Sequence, residues 1–338
     1  VIFKYLTDWQ LAGFWPYTAI WNRSVETGVI HGGVTPSIDA KVPGSVHMDL
    51  LRAGLIEDPY YEMNSLKCEW VSQRWWMYRT TCVIPEELRG RRIRLVFRGI
   101  DYKAYIFFNN MPKVVHEGMY THVKLDVTDY VNFGSDNTVQ VVLESAPDEM
   151  GQIGYTCETF TQKARFNYKW DFGTRLVHLG LYDQVYFEAV GGSTIESSHI
   201  RWTDGKVTYT AEVGGEGGTL RAGLKLGGEL VACAEGDAGG MLEMAVEDPK
   251  LWYPNGYGDQ PLYDLSVELY DKSGKLSDSR EFKVGLRTLS YERCDGANEE
   301  SLPYVVRVNG KRIYLKGVNI TPLDHMYGTV TRERYDKM

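Results

Sequence analysis

Alternation of apolar and polar positions runs through most of the chain. Ile93, Leu95 and Phe97 alternate with Arg94, Val96 and Arg98, and Val123, Leu125 and Val127 with Lys124, Asp126 and Thr128. Val139, Val141 and Leu143 alternate with Gln140, Val142 and Glu144. Each run predicts a strand with one buried face. Asn109-Asn110 separates two such runs and can adopt the positive φ of a tight hairpin. Helical periodicity is scarce. Ser45 to Leu51, capped by Ser45 and closed by Gly54, is the best candidate.

Gly191-Gly192 ends the first block. A second follows, with Val207, Tyr209, Ala211 and Val213, then Leu220, Ala222, Leu224 and Leu226, then Tyr263, Leu265, Val267 and Leu269. Its span is roughly the 100 residues of an immunoglobulin-like sandwich. Gly214-Gly215 and Gly217-Gly218 read as turns, because they do not open a helix as a phosphate cradle would. Val306 and Val308 then lead through Asn309-Gly310, a type I′ hairpin signal, into KRIYLKGVNITP. That is a strand with a Pro-bearing loop, and a helical start follows at Thr331. The pattern predicts an all-β chain with domains at 1–192 and 193–295. Residues 296–338 read as the opening β/α step of a larger domain, because only 17 residues follow Thr321.

Composition narrows the function classes. Of 338 residues, 43% are hydrophobic and 13% aromatic, which fits a globular β-rich protein. A net charge of −8 without a long basic run argues against nucleic-acid binding, and no apolar stretch approaches a membrane span. Five scattered cysteines, with no Cys-x-x-Cys pair, and seven histidines without ligand spacing give no metal site and imply no cofactor. The chain opens on Val1, so a start is expected to have been removed and any signal peptide with it. The compartment is left open, with a periplasmic or secreted location preferred.

No catalytic constellation is complete. Gly44-Ser45-Val46-His47 lacks the strand–turn–helix frame of a nucleophile elbow. Glu86-Glu87, Asp148-Glu149 and Glu299-Glu300 read as solvated surface pairs. The segment RFNYKWDFG, Arg165 to Gly173, stands apart by crowding aromatic rings around Asp171. It reads equally as an aromatic plug with Asp171 paired to Lys169 or Arg175, or as a sugar-contacting loop. In the second case rings pack on sugar C–H faces and the carboxylate accepts hydroxyl hydrogen bonds.

Ordered motifs across nearly the whole chain resemble the N-terminal half of family 2 glycoside hydrolases, and within them the β-mannosidase branch. VPGSVHMDLLRAGLIEDPYY (Val42–Tyr61), WWMYRTTCVIP (Trp75–Pro85), GIDYKAYIFFNN (Gly99–Asn110) and QKARFNYKWDFGTRLVHLGLYDQVYFEA (Gln162–Ala189) resemble the first domain. LWYPNGYGDQPLYDLSVEL (Leu251–Leu269) resembles the sandwich domain. VNGKRIYLKGVNITPLD (Val308–Asp324) is similar to the lead-in hairpin and first strand of a (β/α)8 barrel. The resemblance implies a jelly-roll sugar-binding domain, an immunoglobulin-like sandwich and a truncated barrel start, from a retaining exo-β-glycosidase. Its substrates would be terminal β-mannosides or related β-glycosides, and its partner the chain's own missing barrel.

Both catalytic glutamates of such an enzyme would lie on later barrel strands, so this chain would hold no catalytic residue and be inactive alone. Asn298-Glu299 imitates the family's acid/base motif but lies ahead of the first barrel strand. In the β-mannosidase branch a loop reading Gly-Trp-Asp-Trp-Gly-Pro lines the terminal-sugar pocket. Trp170 and Asp171 match its first Trp and its Asp, so the resemblance implies that Trp170 walls the pocket and Asp171 bonds sugar hydroxyls. Lys169, Phe172 and Thr174 stand where the loop has Gly, the second Trp and Pro, and Ile320 stands where the family often has Trp. Asn319 and Asp324 are further implied substrate contacts. Alternatives are a β-galactosidase or β-glucuronidase of the same family, or a stand-alone carbohydrate-binding module. The resemblance also predicts that Pro303–Met338, deprived of barrel neighbours, packs poorly.

Overall fold

The computed structural model describes residues 2–149 and 160–338, and Cys157 lies outside them. The chain forms two compact units. One comprises Val1–Ala189 together with Thr321–Met338, and the other Val190–Ile320.

Among its described residues the first unit carries twelve strands: β1 (Ile2–Tyr5), β2 (Asp8–Phe14), β3 (Ile38–Lys41), β4 (Trp75–Val83), β5 (Arg92–Phe97), β6 (Lys103–Phe108), β7 (Val114–Glu117), β8 (Val123–Asp126), β9 (Asp136–Leu143), β10 (Tyr168–Trp170), β11 (Gly173–Arg175) and β12 (Val185–Val190). Six form one sheet in the order β3-β2-β4-β9-β6-β7, and four a second in the order β1-β12-β5-β8. Non-consecutive neighbours in both sheets and a shared core make this a jelly-roll-type sandwich. Ala104, Ile106 and Phe108 of β6 alternate inward, where they meet Trp76 and Tyr78 of β4, Val139 and Val141 of β9, and Leu95, Phe97 and Phe187 of the other sheet. Each fully buried large side chain of this kind contributes about 1.5–3 kcal/mol.

Alternation alone understates the burial. Trp75 and Met77 of β4 and Val142 of β9 face away from that core, yet they are buried with Ala19 and Val25. Two short helical turns, Thr18–Trp21 and Ser24–Thr27, cover this second face. The helix expected after Ser45 spans Val46–Arg52, and the Ser45 hydroxyl accepts the Met48 amide at 3.2 Å. Asn109 takes the positive φ of 43° expected between β6 and β7.

The second unit contains β13 (Ser193–Thr203), β14 (Lys206–Gly215), β15 (Thr219–Leu226), β16 (Glu229–Asp237), β17 (Leu242–Ala245), β18 (Tyr263–Tyr270) and β19 (Leu276–Val284). Sheets β13-β14-β17 and β16-β15-β18-β19 enclose Val207, Tyr209, Leu220, Leu224, Leu265, Val267 and Leu269, an immunoglobulin-like arrangement of seven strands. At the β14–β15 connection Gly218 sits at φ +144°, where a Cβ would lie 1.9 Å from the Tyr270 carbonyl, so only glycine fits. A three-stranded meander follows: β20 (Leu289–Glu292), β21 (Val305–Val308) and β22 (Lys311–Ile313). Asn309-Gly310 joins the last two with φ of 51° and 77°, both positive as a type I′ turn requires.

Two expectations for the last segment are corrected. The barrel strand expected over Ile313–Val318 of KRIYLKGVNITP does not form: β22 ends at Ile313, and residues 314–320 are exposed without strand pairing. Thr321–Met338, expected to pack poorly, instead joins the first unit. Met326 is wholly buried there beside Cys68 and Leu176. The helical start at Thr331 is present as Arg332–Lys337, capped by the Thr331 hydroxyl.

Candidate functional site

Arg165–Gly173 becomes a 3-10 turn, Arg165–Asn167, that leads into the β10–β11 hairpin of the first unit. Tyr168 pairs with Arg175 and Trp170 with Gly173, which places Asp171 and Phe172 at the tip. Tyr168 points inward and its hydroxyl donates to the Pro147 carbonyl at 2.7 Å. Lys169 is exposed with φ at +104°, a conformation glycine adopts far more easily than lysine. Trp170 is half-buried, and Asp171 and Phe172 are exposed. Gly173 lets the His325 ring approach closely, since a Cβ there would lie 3.0 Å from it and the ring would have to give way.

The two partners anticipated for Asp171 are otherwise placed. Arg175 lies 3.7 Å from Glu69 and stands over the Tyr168 ring, and Lys169 makes no ion pair among the described residues. Asp171, exposed at the hairpin tip, likewise has no hydrogen-bond or ion-pair partner among them. The Thr174 carbonyl lies 3.1 Å from Nε2 of His325, and the Thr174 hydroxyl 3.2 Å from that of Ser65.

Asp324 lies in the same unit with its side chain 8% exposed. Its carboxylate accepts from the Tyr60 hydroxyl, from Arg334 and from the Met326 amide. Tyr60 in turn lies 6.4 Å, ring to ring, from His325. Asp324 therefore stands one layer from the hairpin with its acceptors engaged. Asn319 belongs to the second unit, in its exposed segment 314–320. Glu299 and Glu300 are exposed.

Beneath the hairpin lies a charged cluster that spacing did not reveal. Lys163 Nζ donates to both oxygens of Asp101, at 2.5 and 2.6 Å, and to the His178 carbonyl at 2.7 Å. His178 Nδ1 lies 2.8 Å from Asp101 Oδ2, and all three residues are buried. Burial alone would raise the Asp101 carboxyl, but the Lys163 ammonium and the His178 hydrogen bond outweigh it and hold the group below the usual carboxylate range. Burial pushes both Lys163 and His178 down, against the pull of Asp101. The sequence signals, legible afterwards, are a histidine inside the apolar run Leu176–Leu181 and a lysine flanking the aromatic segment.

His47 is also buried, and burial, with His178 and Lys163 nearby, lowers it to about 3. The unfolded chain therefore binds a proton below pH 6.5 that the fold refuses. Relative to His47→Leu, wild-type stability should be level above that pH and fall by about 1.4 kcal/mol per unit as pH drops from about 6.5 toward 3. Urea unfolding of both proteins across that range checks this, and parallel pH profiles would refute it.

Among the described residues no group of three His, Cys, Asp or Glu could hold a metal ion, and no helix is long and apolar enough to cross a membrane. Cys68, Cys82, Cys233 and Cys294 are free.

Comparison with known proteins places this architecture. Residues 21–183 match the glycosyl hydrolase 2 galactose-binding domain-like family, and residues 196–287 the glycosyl hydrolases family 2 domain. The chain belongs to glycoside hydrolase family 2, of which it carries these two N-terminal domains. Within that family it resembles the β-mannosidase branch. It is 28% identical over 322 residues to β-mannosidase B of Emericella nidulans and 27% over 322 residues to that of Thermothelomyces thermophilus, in each case over 88% of this chain. It spans only 38% and 37% of those relatives. The fold matches the β-D-mannosidase of Dictyoglomus thermophilum with a TM-score of 0.80 at 24% identity, covering 99% of this chain and 42% of that one. It also matches the β-glucuronidase of Ruminococcus gnavus, with a TM-score of 0.64 at 22% identity over 93% of this chain and 48% of that one.

Proposed function

We propose that this chain is the non-catalytic N-terminal portion of a retaining, exo-acting β-mannosidase, and that its β10–β11 hairpin serves the terminal-sugar pocket. In this reading residues 1–192 are the sugar-binding domain and 193–295 the sandwich. Residues 296–338 are the linker and first β/α unit of a catalytic barrel. The two carboxyl groups that cleave the glycosidic bond, about 5–5.5 Å apart for retention, belong to that barrel, outside this chain. Trp170 offers a ring face to the sugar and Asp171 accepts hydrogen bonds from its hydroxyls. The observation that carries the reading is the exposed Asp171 carboxylate, without a partner among the described residues, beside the half-buried Trp170 at the hairpin tip, in a chain whose relatives include β-mannosidases.

The β-glucuronidase alternative meets a charge objection, because a uronate would bring a second carboxylate toward Asp171. A stand-alone module is disfavoured by the exposed apolar residues Tyr314, Leu315, Val318 and Ile320, which suit a surface awaiting cover. The test compares the purified chain with the full-length enzyme on p-nitrophenyl β-mannoside, β-galactoside and β-glucuronide. The chain should release no p-nitrophenol, and the full-length enzyme should favour the mannoside in kcat/KM by at least about tenfold. Turnover by the chain itself, or preference for another sugar, refutes the corresponding part.

A further inference from the structure

Residues 163 to 178 leave the sandwich and return to it with the hairpin between, and both ends close on one carboxylate. Lys163 Nζ bonds Asp101 Oδ1 and Oδ2 from one end, and His178 Nδ1 approaches Oδ2 from the other. Lys163 also donates to the His178 carbonyl, so first and last residues are joined directly. Asp101 is anchored in turn, its amide donating to the Gly180 carbonyl at 2.9 Å and its carbonyl accepting the Gly180 amide at 3.1 Å.

A second layer narrows the base. The Leu176 amide donates to the Asn167 carbonyl at 2.8 Å, and Asn167 Nδ2 to the Leu176 carbonyl at 3.1 Å. Tyr327 donates to Asn167 Oδ1 and lays its ring 4.4 Å from that of His178. The base is therefore buried, with only Nε2 of the His178 ring lacking a hydrogen-bond partner among the atoms of the Asp101–Lys163–His178 cluster, while Lys169, Asp171 and Phe172 at the tip are exposed.

An apolar plug would fill the same space, and buried ion pairs rarely out-stabilise well-packed hydrophobes. What an apolar plug lacks is direction. Charged hydrogen bonds in a buried site fix one placement of the two ends, and a small angular error at the base grows toward the tip. We infer that Asp101 is a positioning residue: its carboxylate clips Lys163 and His178 and so presents Trp170 and Asp171 at a fixed place without touching substrate itself. The functional half of this inference rests on the sugar-contacting role of the hairpin, and the structural half does not.

The test uses the double variant Asp101→Leu/Lys163→Met, which removes the clip without stranding a charge. In the chain, amide exchange of peptides within 165–177 should accelerate at least about tenfold while β4, β6 and β9 keep their protection. In the full-length enzyme kcat/KM on the β-mannoside should fall at least about tenfold, with the loss mainly in kcat if the displaced groups act in the transition state. Unchanged protection of 165–177 overturns the clip. Faster exchange with unchanged kinetics upholds the clip and overturns the hairpin's place in the sugar pocket. Should the sheets themselves lose protection, His178→Phe keeps the ring against Tyr327 and breaks one arm only. Local acceleration in that variant supports the inference, and none overturns it.

Discussion

Asp171→Asn in the full-length protein is expected, on the β-mannosidase reading proposed above, to lower kcat/KM on its best β-mannoside by roughly ten- to 150-fold. A charged hydrogen bond in a desolvated pocket typically contributes about 1.5–3 kcal/mol, and each 1.36 kcal/mol is about tenfold. The loss should exceed a ground-state binding effect, because bonds to sugar hydroxyls strengthen as the ring distorts toward an oxocarbenium ion. The hairpin geometry makes the experiment clean. Asp171 is exposed and has no partner among the described residues, so the substitution should change stability by no more than about 0.5 kcal/mol. Steady-state kinetics beside a thermal melt decide it. With folding intact, a kcat/KM within about threefold of wild type would remove Asp171 from the active site.

Lys163→Met is expected to be strongly destabilising, costing about 3–5 kcal/mol at pH 7, because it leaves the Asp101 carboxylate buried without its cation. Adding Asp101→Leu should recover much of that cost, since a buried pair exchanged for apolar groups of similar volume is often close to neutral. The pH dependence has a definite sign. In wild type the lowered Asp101 contributes stability present above the unfolded value of 3.8 and lost as pH falls through its lower folded value. In Lys163→Met burial acts on that carboxyl against the His178 hydrogen bond alone and raises it relative to wild type, so it takes a proton more readily and the penalty should shrink on acidification. Urea unfolding at pH 7 and pH 5 tests both parts. A single variant no less stable than the double would show that the pair is not electrostatically committed.

The parts of this fold legible in the sequence were those that depend on neighbours along the chain. The Ser45 cap, the Asn309-Gly310 turn and the in–out alternation of β6 each rest on a few adjacent residues. Less legible were features built from distant segments. Strand β4 is buried on both faces because residues near Ala19 and Val25 fold over Trp75 and Met77, which no period in the strand itself announces. At the hairpin, Trp170 and Asp171 stood out by composition, but whether Asp171 was paired remained open until Arg175 was found beside Glu69. The Asp101–Lys163–His178 cluster joins residues more than sixty positions apart, and charge spacing carries no trace of such a contact. Asp324 was singled out from a motif, and its bonds to Tyr60 and Arg334 depend on tail packing that the sequence pattern did not predict.

The chain departs from the first unit after Ala189 and rejoins it at Thr321, so that unit is completed by a piece arriving on a tether. For a flexible tether of roughly 130 residues, closure costs on the order of 4 kcal/mol of chain entropy, comparable to what burying one or two side chains such as Met326 returns. Once β13 to β19 have folded, most of that length is no longer random coil, and the entropy left to lose is much smaller. Docking of Met326 and Tyr327 is thereby linked to the integrity of a sandwich in which they take no part. Destabilising the immunoglobulin-like strands should loosen the base of the β10–β11 hairpin at a distance, through chain entropy alone.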